Sequence, residues 1–190
     1  MKKVLSMTLM AALFTTAIFG QKNYTLDKYH SRVSFSATHF GISHVEGNFK
    51  SFDATLQSTK DDLSDAVIAF NADVNSINTD VDYRDNDLKS ANYFDAAKYP
   101  SMNFKSTSFK KVGGNNYKLA GNMTIHGVTK PVVFDVISNG TAVTAMKKPT
   151  TGFTITGKIN RQDFGIGGSP ITSGIGNEIE VKSNVEFTLN

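Results

Sequence analysis

The sequence predicts an all-β protein, a single antiparallel barrel of eight strands with one short helical segment between them. Three observations carry that reading. From Arg32 to His39 the side chains alternate, with Val33, Phe35 and Ala37 on one face and Arg32, Ser34, Ser36 and Thr38 on the other. This period of two is the pattern of a half-buried strand. The far end repeats it, Ile179, Val181, Val185 and Phe187 alternating with Glu178, Glu180, Lys182, Asn184 and Glu186. Between these ends lie short turns, with no internal repeat and no linker. Two long one-sided end strands that pair with each other would remove the exposed edges of one sheet.

Met1-Lys2-Lys3 is a basic head, followed by the apolar run Val4 to Phe19 and then a polar chain. That is the plan of a secretory signal peptide, too short and too terminal for a membrane span. Ile18 and Gly20 are not the usual small pair before a cleavage site, but the change in composition puts the cut after Gly20. Residues 1–20 are therefore expected to be a signal peptide. Residues 21–190 form the mature domain, periplasmic or secreted, with no transmembrane span left after cleavage. Cysteine is absent, which removes disulfides, thiolate metal sites and cysteine nucleophiles. Some 170 mature residues suffice for one substantial core. Without Lys2 and Lys3 the formal charge of +3 falls to +1. Nucleic-acid binding needs a concentrated positive field; the pairs Lys110-Lys111 and Lys147-Lys148 read instead as solvated loop tips.

The strands follow in order. After Phe40-Gly41 come Val45, Gly47 and Phe49, then Phe52, Ala54 and Leu56, with a bulge or bend near Lys50-Ser51. Ala66 to Val74 is a third strand with Ile68, Phe70, Ala72 and Val74 on one face. Alternation stops between Thr79 and Ala97, where Thr79 or Asp82 is expected to cap a short helix and Ser90 a second, before Pro100 ends the island. Met102 and Phe104 resume strand character as far as Phe109, and Gly113-Gly114-Asn115-Asn116 marks a hairpin. Tyr117, Leu119, Met123 and Ile125 share a face, with Gly121 between them. His126-Gly127 is a tight turn; Val132, Phe134 and Val136 follow, and Asn139-Gly140 marks a further turn. Phe153, Ile155, Gly157 and Ile159 make the penultimate strand, and a glycine-rich crossing from Gly165 to Gly176 leads to the last.

Catalytic signatures do not emerge. His30, His39 and His44 are close in sequence, but their spacing does not impose metal geometry, and strand-end histidines bonded to backbone are the plainer reading. Gly165-Ile166-Gly167-Gly168 has no following helix to make an anion site. There is no Gly-x-Ser-x-Gly elbow, and Asp61-Asp62 reads as a turn. The inward faces do carry small residues: Ala37, Ala72, Gly121 and Gly157. An eight-stranded barrel is either filled by side chains or holds one ligand. Small inward residues mark a cavity or make room for larger neighbours, and the pattern leaves both open.

Several motifs occur in order: His30-Ser31, His39 to Phe49 (HFGISHVEGNF), Arg84-Asp85, Phe94 to Pro100 (FDAAKYP) with Phe104-Lys105-Ser106, Gly121 to Val132 (GNMTIHGVTKPV), and Arg161 to Gly165 (RQDFG). Across the mature chain they resemble the YceI-like family of exported bacterial proteins. The resemblance implies a lipocalin-like barrel, non-enzymatic and without cofactor. Such a barrel carries a long isoprenoid or similar amphiphile, such as an isoprenoid quinone or polyprenyl phosphate, and is compatible with a homodimer. An enzyme acting on isoprenoids or other lipids, and a ligand-free stress-protective domain, are the rival readings. Expected ligand contacts are Val33, Phe35, Ala37 and Phe40 near the first strand, and Ile68, Phe70 and Ala72 on the third. Phe94, Phe104, Met123, Ile155 and Phe164 complete the apolar set. Arg84 is the candidate for a phosphate or quinone oxygen, with a structural ion pair to Asp85 or Asp87 as the alternative. Asp87 departs from the family, which usually has His there.

Overall fold

The first strand of the barrel is one that alternation did not reveal. β1 (Lys22–Leu26) is only five residues long, yet Tyr24 and Leu26 are buried and the strand pairs on both sides. The computed structural model describes residues 20–145, 147–168 and 174–190; the expected signal peptide lies outside the described residues, apart from Gly20. β2 (Arg32–His39), β3 (Ser43–Phe49), β4 (Phe52–Ser58), β5 (Val67–Asp73) and the short β6 (Ile77–Asn78) precede the helix α1 (Asp82–Lys89). β7 (Ser101–Gly113), β8 (Asn116–Ile125), β9 (Val128–Val143), β10 (Pro149–Asn160) and β11 (Ile175–Leu189) complete the chain.

Closure depends on β11. Its first part pairs with β2 from Ile175↔His39 to Asn184↔Arg32, and its last residues pair with β1, Phe187↔Leu26 to Leu189↔Tyr24. β1 and β2 thus occupy one strand position, broken at a corner, and β4 and β3 occupy the next, broken at Lys50-Ser51. With β5, β7, β8, β9, β10 and β11 the antiparallel ring has eight positions. The terminal strands do pair, and the sheet is an eight-stranded lipocalin-like barrel. His30-Ser31 serves the corner. Asp27 accepts hydrogen bonds from the Tyr29 and His30 amides and pairs with His30 Nδ1 at 2.9 Å, while the Glu186 amide donates to Ser31 Oγ.

Two register changes each come from one inserted residue. On β7, Met102 and Phe104 are buried and then Phe109, because a bulge between Ser106 and Ser108 resets the alternation. Asn139-Gly140 is not a turn. β9 runs through it to Val143, and Gly140 at φ 98° sits in a bulge where Phe153 pairs with Ser138 and Asn139 is the extra residue. A left-handed glycine suits a bulge as well as a turn. His126 and Gly127, both at positive φ, do make the tight β8–β9 turn. Of the glycine-rich crossing, residues 169–173 lie outside the described ones, and Gly176 already belongs to β11.

The helical island holds one helix. Neither Thr79 nor Asp82 caps it; Val81 is the N-cap, and its side chain makes no capping hydrogen bond. Instead Asp85, in the first turn, accepts from Thr79 N at 2.8 Å and Thr79 Oγ1 at 2.6 Å, tying the entering chain to the helix. Asp82 and Asp85 near the start and Lys89 at the end suit the helix dipole. Residues from Ser90 to Lys98 form turns, not a second helix. The Leu88 and Phe94 side chains pack against the core, and Phe94 meets Phe49 edge-on at 6.2 Å. Near the β7–β8 hairpin, Phe109 stacks on Tyr117 at 4.7 Å and the Tyr117 hydroxyl donates to Asp62 O, bringing the β4–β5 loop against these strands.

Candidate ligand cavity

The inner faces of these strands do not fill the barrel. A cavity of about 210 Å³ remains, with a wall of carbon apart from Ser34, Tyr93, Arg161 and Ser183. For scale, an engineered apolar cavity of about 150 Å³ stays dry and takes up benzene. Several inward apolar side chains on this wall are only half-buried: Val33, Phe35, Ala37, Ile155, Ile175 and Val181. In a close-packed core such groups touch neighbours on all sides. Here β2, β10 and β11 turn them toward open space.

Two of the small inward residues have a different reason. A Cβ at Gly121 would stand 2.4 Å from Phe104 Cζ, and one at Gly157 would stand 2.5 Å from Phe134 Cδ1. These glycines make room for rings. Ala37 lines the cavity, whereas Ala72 is fully buried between its cross-strand partners Phe52 and Met102, away from the wall.

Among the expected contacts, Val33, Phe35 and Ala37 on β2 line the cavity, with Ile68 and Phe70 on β5 and Phe104, Met123 and Ile155 on β7, β8 and β10. Phe94, beyond α1, and Phe164, 1% exposed in a short 3-10 turn after β10, also reach it. Phe40, Ala72 and Arg84 do not. Phe40 sits at the β2–β3 turn at φ 50°, 68% exposed, its amide donating to Gly174 O. Hydrophobicity beside a strand end does not distinguish rim from interior. Arg84 turns its guanidinium to Thr79, Nε donating to Oγ1 and Nη2 to the carbonyl, both at 2.8 Å. Its place is in the network that anchors α1.

The arginine on the cavity is Arg161. It is 6% exposed and donates from Nε to Gly176 O, from Nη1 to the Ile166 and Gly167 carbonyls, and from Nη2 to Ile175 O. It thereby ties Ile166 and Gly167 to the start of β11. Burial pulls its pKa below the usual guanidinium value, opposed by Tyr93. Tyr93 is itself pushed up, first by burial and then by the Asp87 carboxylate, with Arg161 opposing. Sequence reasoning passed over Arg161 although it opens the last motif. The motif shows the residue but not its burial.

Metal-capable side chains gather elsewhere. Asp27, His30 and Glu186 bring ligand atoms within 4.8 Å of one another at the β1–β2 corner, and none lines the cavity. His39 and His44 are exposed on the β2–β3 hairpin, and His126 Nδ1 contacts Phe164 O at 3.2 Å. No described helix is long and apolar enough to cross a membrane.

A closed eight-stranded barrel around an apolar cavity is the lipocalin-like class of fold. The YceI-like domain matches residues 24–187, and the chain belongs to that family. Proteins named YceI from Salmonella arizonae and Salmonella paratyphi B are each 36% identical over 167 residues, 87% of this chain and 87% of theirs. A Campylobacter jejuni YceI crystal structure is 34% identical with TM-score 0.70, over 77% of this chain and 86% of that one. BcnA of Burkholderia cenocepacia, at 24% identity and TM-score 0.76, shares the fold over 85% of this chain and 98% of its own. A polyisoprenoid binding domain from Saccharophagus degradans does so at 14% identity and TM-score 0.68, over 88% and 98%.

Proposed function

We propose that the mature chain, exported to the periplasm or secreted after loss of residues 1–20, binds and carries a long isoprenoid or similar amphiphile inside the barrel. An isoprenoid quinone or a polyprenyl phosphate fits this description. The observation that carries the reading is the row of half-buried apolar side chains facing the cavity from β2, β10 and β11. The solved Saccharophagus domain of the same fold, described as polyisoprenoid binding, adds support. Each buried methylene stabilises a complex by about 0.8 kcal/mol, so ten contribute about 8 kcal/mol before ordering costs. Apolar walls thus supply the affinity without catalytic groups, and a few polar groups orient the ligand.

Native mass spectrometry of the protein purified from its own host tests this reading. The expected species lacks the first 20 residues and carries an added mass that organic extraction removes. Bare protein from several hosts would leave the ligand-free stress-protective reading, and chemical conversion of an added lipid would leave the enzymatic one.

A further inference from the structure

The inward face of β11 is apolar except at one point. Ile179, Val181, Val185 and Phe187 line the cavity there, and Ser183 stands in their midst. Its cross-strand neighbours are Ile155 on β10 and Val33 on β2, both also on the wall. Strand geometry sets its depth: at about 3.3 Å per residue, roughly 13 Å of β11 separates it from Ile179 on one side and from Phe187 on the other. Ser183 is buried, with 6% exposure, yet among the described residues its hydroxyl has no hydrogen-bond partner, and the residue borders the cavity. Arg161, by contrast, gives its donors to backbone carbonyls.

When hydrocarbon fills the cavity this hydroxyl loses its access to water and gains no partner, so a wall shaped for hydrocarbon alone is better served by Ala or Val at this position. We infer that Ser183 is a specificity-determining residue of the cavity: the ligand is an amphiphile whose oxygen function, a carbonyl, ether or hydroxyl, lies at mid-barrel depth and hydrogen-bonds Ser183 Oγ. The polar part of the ligand is then carried inside the barrel and not left at its rim. This inference rests on the carrier reading and deepens it by fixing the chemistry of the cargo.

The test uses the delipidated mature chain, with N-phenyl-1-naphthylamine as a fluorescent reporter displaced by dodecane, dodecan-1-ol, dodecan-2-one or dodecan-6-one. Wild type should favour at least one oxygenated chain over dodecane, and Ser183→Ala should lose about five- to tenfold of that preference while holding dodecane as before. Ser183→Thr, which keeps the hydroxyl, should retain it. Ser183→Ala should also unfold at the same or higher denaturant concentration, which a structural hydroxyl would not allow. If the probes bind wild type and Ser183→Ala with the same ranking, or if the variant loses dodecane equally, the inference about Ser183 falls and the carrier reading stands. If no probe enters wild type, the carrier reading fails and this inference with it.

Discussion

Replacing Ala37 and Ala72 with Phe separates a cavity wall from a packed core within one barrel. Both alanines point inward by alternation, but their surroundings differ. Ala72 is fully buried between Phe52 and Met102, so an added ring must displace neighbours. Overpacking of this kind costs about 1–3 kcal/mol, which for a domain of this size lowers Tm by roughly 2–12 °C. Ala37 is half-buried on the cavity wall, where its strand partners are Val45 and Ile179. Benzene fits a cavity of about 150 Å³, so a phenyl ring at Ala37 has space within about 210 Å³ and takes up much of it. Ala37→Phe should therefore keep the wild-type denaturant midpoint within about 1 kcal/mol while its lipid uptake falls sharply. The assay is paired: urea unfolding of delipidated protein, and uptake of a long-chain isoprenoid alcohol by the same samples. A loss of 2 kcal/mol or more at Ala37, or unchanged uptake, would refute the assignment of that wall.

Three further outcomes follow from specific contacts. Gly121→Ala places a methyl 2.4 Å from Phe104 Cζ and 2.5 Å from Lys105 O, and should destabilise by about 1–3 kcal/mol in urea unfolding. Asp65 accepts hydrogen bonds from Ser58 and Thr59 hydroxyls and from the Thr59 and Lys60 amides, which hold its carboxyl below the usual range. A folded pKa below the unfolded one gives stability that is present above about pH 4 and lost as pH falls through the folded value. Asp65→Asn should thus cost about 1 kcal/mol at pH 7, with the gap to wild type narrowing below pH 4 in acid titrations of Tm. Chelation should leave Tm of the delipidated protein unchanged, and a clear drop would point to a bound metal at the Asp27, His30 and Glu186 corner.

How much of this was legible depended on the strength of each local pattern. β2, β5, β8 and β11 announced themselves because one face is apolar over seven residues or more. The Lys50-Ser51 break was visible as a change of parity. β1 is not legible because five residues carry too little alternation, although Tyr24 and Leu26 close the barrel. Asn139-Gly140 reads as a turn and not as a bulge, since the difference lies in the partner strand. The helix start differs from expectation because Asp85 reaches back to Thr79 from inside the first turn, so no capping side chain precedes the helix. The cavity residues of β2 and β5 followed from parity, whereas Phe94 and Phe164 lie off the strands and a bulge resets the parity before Phe109. Which small residues border space and which border rings could not follow, because Gly121 and Ala37 differ only in what the neighbouring strand presents.

The most direct test of an interior binding site is methyl NMR of the delipidated chain, labelled at Ile and Val, during titration with farnesol. Shifts are expected at the cavity methyls of Val33, Ile155, Ile175 and Val181, while Val133, Ile137 and Val143, which are 58%, 43% and 70% exposed on the outer face, stay in place. Shifts confined to the outer set, or none at saturating ligand, would contradict carriage inside the barrel.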